Sequence, residues 1–253
     1  MEFSMQINLS VTVGREIIRG FIHLPAKMDT KTPLIILSHG LTGNKYGSHN
    51  AWVSMSRDLE KQDIASIRFD FRGNGDSDGL HEQMTVSREV EDLFAIYEYA
   101  RQYTQNIILG GYSLGAIVTS IVAGRTDAKK ILLIAPVAPE LFVSLAANMI
   151  PLTKDFPGET FEFRDGYLLG RDFMKEMEEL PFGGTLSTLK DKGGAIQIIR
   201  GDEDPFANDT IASKYKDTFG AKLDIIPGIG HDINTQKASK QLYGLVENFI
   251  RNE

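Results

Sequence analysis

The chain has 253 residues, 42% of them hydrophobic and 24% charged, enough for one globular domain with a substantial core and too mixed for a coiled coil or a disordered tail. Lys and Arg total 27 against 34 Asp and Glu, a formal net charge of -7, so nothing in the composition invites nucleic acid. There is no Cys, which excludes disulfides, thiolate metal ligands and a cysteine nucleophile. Chemistry must come from hydroxyl, imidazole, carboxylate or backbone groups.

The opening MEFSMQINLSVTVG alternates polar and apolar residues and reads as a strand rather than a signal peptide. No run approaches the roughly 20 apolar residues that crossing a bilayer takes, so a cytoplasmic protein without a membrane span is expected. Two strands, about 6 to 13 and 15 to 24, turn at Gly14 and Arg15 and end at Pro25, as an antiparallel edge would. From residue 33 the pattern changes. PLIILSHG, IASIRFD, NIILGG, KILLIAP and AIQIIRG are continuous apolar runs ending at Gly, Pro or Asp, the signature of strands buried on both faces. Helical patterns near 49 to 62, 86 to 101, 114 to 124, 209 to 219 and 236 to 250 alternate with them. The expected class is α/β, a mostly parallel twisted sheet with helices on both faces.

One interval breaks the alternation, with about fifty residues between KILLIAP and AIQIIRG. Residues 137 to 190 are therefore expected to be an insertion, leaving 1 to 136 and 191 to 253 as the core. The insertion carries Phe142, Phe156, Phe161, Phe163, Tyr167, Phe173 and Phe182, with a helix expected from 171 to 180.

In an open parallel sheet, ligands bind beyond the carboxyl ends of the strands. After NIIL comes Gly111-Tyr112-Ser113-Leu114-Gly115, a G-x-S-x-G between a strand and a helix. That turn is tight enough to need small flanking residues, and it lifts the serine hydroxyl above the sheet at a helix N-terminus. A second match, Gly75-Asp76-Ser77-Asp78-Gly79, lies in a polar loop with Asp on both sides of the serine, where two carboxylates would oppose a developing anion. Ser113 is thus the expected nucleophile and Ser77 part of an ordinary turn.

A serine hydroxyl needs a general base oriented by a carboxylate. In the strand-turn-helix form of this chemistry the order is serine, acid, histidine, and of the five His only His231 follows Ser113. The acid is expected in the loop after AIQIIRG, which offers Asp202, Glu203 and Asp204. Asp204 is preferred because Pro205 restricts the loop behind it, with Asp202 as the alternative. Backbone N–H groups of Leu41 and Leu114 are the expected oxyanion donors, with His39 and Gly40 shaping the turn before Leu41.

With His39-Gly40, then DFRGNGDS from Asp70 to Ser77, GYSLG, GDEDPF and GIGH in this order, the chain resembles the α/β-hydrolase superfamily over nearly all its length outside the insertion. FDFRGNGDSDG followed by MTVSREVEDL looks most like the bacterial feruloyl (cinnamoyl) esterases. That resemblance implies a Ser113, Asp204, His231 triad, an insertion acting as a cap over the acyl pocket, and a structural role for Gly73 to Ser77. Two positions depart from it. Those esterases usually have G-H-S-Q-G at the elbow where this chain has Tyr112 and Leu114, and Phe173 falls near where they place a phenol-reading Tyr.

The expected function is a serine carboxylesterase for aromatic or short- to medium-chain acyl esters, with Tyr112, Phe173 and Phe206 at the substrate and no cofactor or metal. A small-molecule ester is the expected partner, and a homodimer is left open. Thioesterase, lipase-like and acyltransferase activities use the same triad, and a silent binding protein on this fold is the distant alternative. A dinucleotide-binding reading fails because Gly73 to Gly79 has one residue too many before its last Gly and no helix opening on it.

Overall fold

Gly14 has φ 62°, a left-handed geometry that suits a tight hairpin turn, and the runs on either side of it pair along their whole length. In this computed structural model, which describes residues 5–149, 160–163, 166–180, 182, 186 and 193–252, strands β1 (Met5–Val13) and β2 (Glu16–Leu24) are antiparallel, with Val13 opposite Glu16. The continuous apolar runs become β3 (Leu34–Ser38), β4 (Ala65–Phe69), β5 (Ile107–Tyr112) and β6 (Lys130–Ile134). After a small hairpin of β7 (Thr160–Glu162) and β8 (Leu168–Gly170) come β9 (Ala195–Gly201) and β10 (Lys222–Ile226). The eight-stranded sheet has the order β1-β2-β4-β3-β5-β6-β9-β10. β2 meets β4 antiparallel and all later pairs are parallel.

The helices are α1 (Ala51–Glu60), α2 (Val86–Ala100), α3 (Leu114–Ala123), α4 (Pro139–Met149), α5 (Arg171–Glu179), α6 (Asp209–Phe219) and α7 (Gln236–Arg251). Three begin at a side-chain cap: Thr85, Asn208 and Thr235 each accept the backbone N–H three residues on, satisfying a donor the first turn leaves over. Among the described residues no helix is long and apolar enough to cross a membrane.

Alternation along each strand divides the interior into two cores. Leu34 and Ile36 face α2 and α3 together with Leu109, Leu93 and Val118. Ile35 and Leu37 face α1 and α7 with Ile108, Met55 and Val246. Both faces are covered, which is why these strands read as unbroken apolar runs.

Between β6 and β9 the chain adds α4, the hairpin and α5, and Phe142, Phe161 and Phe173 join the first core. The helix expected from 171 to 180 is α5. Neither α4 nor the three-residue hairpin strands had been anticipated, and Phe156 lies outside the described residues.

At the carboxyl end of β5 the backbone crossings leave no room for side chains. A Cβ on Gly111 would strike Gly115 O and Thr119 Oγ1, one on Gly115 would strike the carbonyls of Ser38 and His39, and one on Gly40 would lie 2.9 Å from Ser113 Cβ. Because Gly115 O is backbone, Gly111→Ala is expected to cost at least about 1–3 kcal/mol, as overpacking does. Urea unfolding checks this, and unchanged stability would contradict the crossing.

Candidate active site

β5 ends at Tyr112 and α3 begins at Leu114, so Ser113 alone makes the turn. It does so with φ 54° and ψ -118°, a conformation that L side chains avoid and that surrounding structure must enforce. The parallel partner helps, since Ser113 N–H donates to Ile134 O at 3.0 Å. Leu114 N–H, at the first position of α3, has no intrahelical acceptor and is available above the sheet.

Two distant loops meet Ser113 there. His231 Nε2 is 2.9 Å from Ser113 Oγ, and His231 Nδ1 is 2.8 Å from Asp204 Oδ2. An ionised carboxylate can only accept, so Nδ1 carries the proton and Nε2 is left to receive one from the serine. Asp204 is buried, and its other oxygen accepts the N–H groups of Phe206 and Ala207, each at 2.9 Å. Burial works against its charge. The His231 hydrogen bond and charge, with those two N–H groups, outweigh burial and hold the carboxyl below its usual range.

Asp202 has a different task. Its Oδ1 accepts Gly228 N–H at 2.6 Å and Ile229 N–H at 3.3 Å, so it braces the loop that carries His231 without touching the imidazole. Glu203 is exposed, and its N–H donates to Ile229 O at 3.0 Å.

The loop after β3, carrying Leu41, is held at both ends by the loop after β4. His39 is buried and neutral in its environment, burial being the main cause of its lowered pKa. It donates from Nδ1 to Gly40 O at 2.8 Å and accepts Phe71 N–H at Nε2 at 3.1 Å. Lys45 donates its backbone N–H to Asp70 Oδ1 at 2.6 Å, and its ammonium to Asp70 Oδ2 and Asp76 Oδ2, each at 2.5 Å. Burial opposes that ammonium, but the two carboxylates more than offset it and raise its pKa. Ser77 belongs to the same scaffold: its hydroxyl donates to Asp70 O at 2.6 Å and accepts Arg19 N–H at 2.8 Å.

A cavity of about 380 Å³ opens over Ser113 and His231. Leu41, Tyr112 and Phe206 line it, Phe206 standing edge-on to the imidazole at 5.2 Å. Phe173 does not line it. It is fully buried and meets Phe142 edge-on at 5.8 Å, and Phe142 occupies the wall. The expectation for Phe173 is corrected on that ground: α5 turns it into the core.

Tyr112 does more than line the cavity. Its hydroxyl lies 3.1 Å from His231 O and 3.0 Å from Asp232 Oδ1, and its ring is 5.3 Å from the imidazole. It therefore ties the elbow to the histidine loop. Sequence reasoning missed this link and Asp232 with it, because no local pattern relates residues so far apart in the chain. Among the described residues no group of three or more His, Asp or Glu side chains converges as metal ligands would.

The sequence model of the alpha/beta hydrolase family matches residues 35–242. The chain belongs to that family. Among solved structures it is similar to Est1E from Butyrivibrio proteoclasticus with ferulic acid bound, at 19% identity over 96% of this chain and 97% of that one, TM-score 0.77. It is also similar to mouse alpha/beta hydrolase domain-containing protein 10, at 19% identity over 96% and 98% of the two chains, TM-score 0.75. By sequence it is 27% identical over 166 residues to an uncharacterized 31.7 kDa protein of the traX-finO intergenic region of Escherichia coli, covering 64% of this chain and 48% of that protein. The chain thus spans about half the length, or less, of the curated relatives it matches.

A carboxyl whose pKa is lowered on folding contributes stability that is complete above its unfolded value, about 3.9, and lost as pH falls through the lower folded value. Asp204→Asn is therefore expected to shrink the stability difference between about pH 7 and pH 3 relative to the parent protein. Denaturant titrations at both pH values measure this, and an unchanged difference would count against the charged Asp204–His231 contact.

Proposed function

We propose that this protein is a hydrolase, a serine carboxylesterase acting on aromatic or short- to medium-chain acyl esters. The observation that carries the reading is the hydrogen-bonded line from Ser113 Oγ through His231 to Asp204 at the base of the cavity. His231 Nε2 takes the hydroxyl proton as Ser113 Oγ attacks the ester carbonyl, and Asp204 stabilises the imidazolium. The oxyanion receives hydrogen bonds from the N–H groups of Leu41 and Leu114. As the tetrahedral adduct collapses, His231 protonates the departing alcohol and an acyl-Ser113 ester remains. Water, deprotonated by the same imidazole, then releases the acid and restores the serine.

The aromatic wall of Phe142, Phe163 and Phe206 suits an apolar acyl or alcohol group. Residues 137–190 serve in this reading as a cap that closes the cavity. The similarity to Est1E, whose structure holds ferulic acid, supports including aromatic acids among the substrates. The elbow side chains Tyr112 and Leu114 and the inward Phe173 leave the recognition of a phenolic hydroxyl to other groups.

Ser113→Ala is expected to reduce kcat on a short-chain nitrophenyl ester by on the order of 10⁴ to 10⁶ and to abolish fluorophosphonate labelling. Undiminished turnover refutes the assignment. Asp204→Asn is expected to lose about 10⁴ in kcat, whereas Asp202→Asn, which loosens only the loop brace, loses far less. The reverse ranking would move the acid to position 202. An ester panel from acetate to octanoate with methyl ferulate then ranks the acyl preference.

A further inference from the structure

The cavity does not lie to one side of Ser113. Val137 and Phe142 on its wall belong to the core facing α2 and α3, while Trp52, Ile233 and Leu242 belong to the core facing α1 and α7. The two cores lie on opposite faces of the sheet. The cavity therefore straddles the carboxyl edge of β5, and the parts of its lining on either side of the serine are called its two lobes below; an ester held at Ser113 can direct a substituent toward either.

The lobes differ in polarity. Leu141, Phe142 and Phe163 leave the first with an apolar wall. The second mixes Trp52 and Leu242 with Asn44, Ser48 and Asp232. Asp232 is exposed to solvent at the cavity rim, with Oδ1 fixed by the Tyr112 hydroxyl at 3.0 Å. Among the described residues lining the cavity it is the one carboxylate, and none is Lys or Arg. The ammonium of Lys45, which follows the lining residue Asn44, is buried against Asp70 and Asp76. A formal net charge of -7 adds a long-range potential of the same sign.

We infer that Asp232 reads the charge of the substrate: the lobe between α1 and α7 accepts a cationic or neutral substituent and turns away a carboxylate or phosphate. The inference rests on the ester hydrolase reading and adds a specificity residue to it. Asp232 Oδ1 meets the Tyr112 hydroxyl, whereas the imidazole nitrogens meet Asp204 and Ser113. It acts on the far end of the substrate, through a fixed negative charge whose aim the Tyr112 hydrogen bond sets.

The test uses esters that differ only in their distal group, a trimethylammonium, its neutral tert-butyl isostere or a carboxylate, placed on the alcohol in one series and on the acid in the other. In the series whose distal group enters this lobe, the cation should exceed the neutral isostere in kcat/KM by about two- to five-fold, the size an exposed ion pair supplies. The anion should fall below both. Asp232→Asn should bring the cation-to-neutral ratio to near one while Asp232→Glu retains it. Because each ratio compares two substrates of the same variant, a disturbance of His231 by the neighbouring change cancels.

Salt supplies a readout that needs no variant. The ratio in the parent protein should fall as ionic strength rises from about 0.01 to 1 M, where the screening length drops from about 30 to 3 Å. A ratio indifferent to both Asp232→Asn and salt in both series overturns the inference, even with neutral esters turning over normally. If neutral isosteres are not cleaved and Ser113 takes no fluorophosphonate label, the hydrolase reading itself fails, and this inference with it.

Discussion

A close crossing of three backbones, the ends of β3 and β5 and the start of α3, governs the rest of the structure. Gly40, Gly111 and Gly115 stand where any Cβ would meet a neighbouring atom, so strand and helix approach until one residue must reverse the chain between them. That residue is Ser113. Its position, its outward hydroxyl and the free N–H of Leu114 all follow from the crossing. The loop after β3 is pressed against the same point, which brings Leu41 within the site.

Around this fixed point the loops are positioned by charged and polar clasps rather than by apolar packing. Lys45 and His39 fasten the Leu41 loop to the segment after β4. Asp202 fastens the histidine loop from one side and Tyr112 from the other. A loop at the sheet edge has too little apolar surface to hold itself, so its backbone donors must find fixed acceptors. Two of the three acids in the loop after β9 illustrate the division. Asp202 spends its hydrogen bonds on the backbone of the neighbouring loop, leaving Asp204 free to meet the imidazole.

Much of this was legible in the sequence because the signals are local. Continuous apolar runs ending at Gly, Pro or Asp marked five of the six parallel-sheet strands, and 3.6-residue periodicity marked the helices that cover them. The strand-turn-helix setting separated Gly111 to Gly115 from the second G-x-S-x-G, whose Ser77 is engaged with Asp70 and Arg19. What escaped depends on contacts across long stretches of chain. The hairpin strands β7 and β8 are too short to show a period. The inward turn of Phe173 depends on which face α5 presents to the core, and the hold of Tyr112 on His231 and Asp232 spans more than a hundred residues.

The backbone at Ser113 carries a further consequence. A side chain at φ 54° and ψ -118° stores on the order of 1–3 kcal/mol, which glycine would release while keeping the turn intact. Selection for heat tolerance alone would therefore drive this codon toward glycine and erase the hydroxyl. In the proposed reading, endurance and reactivity compete here for the same residue.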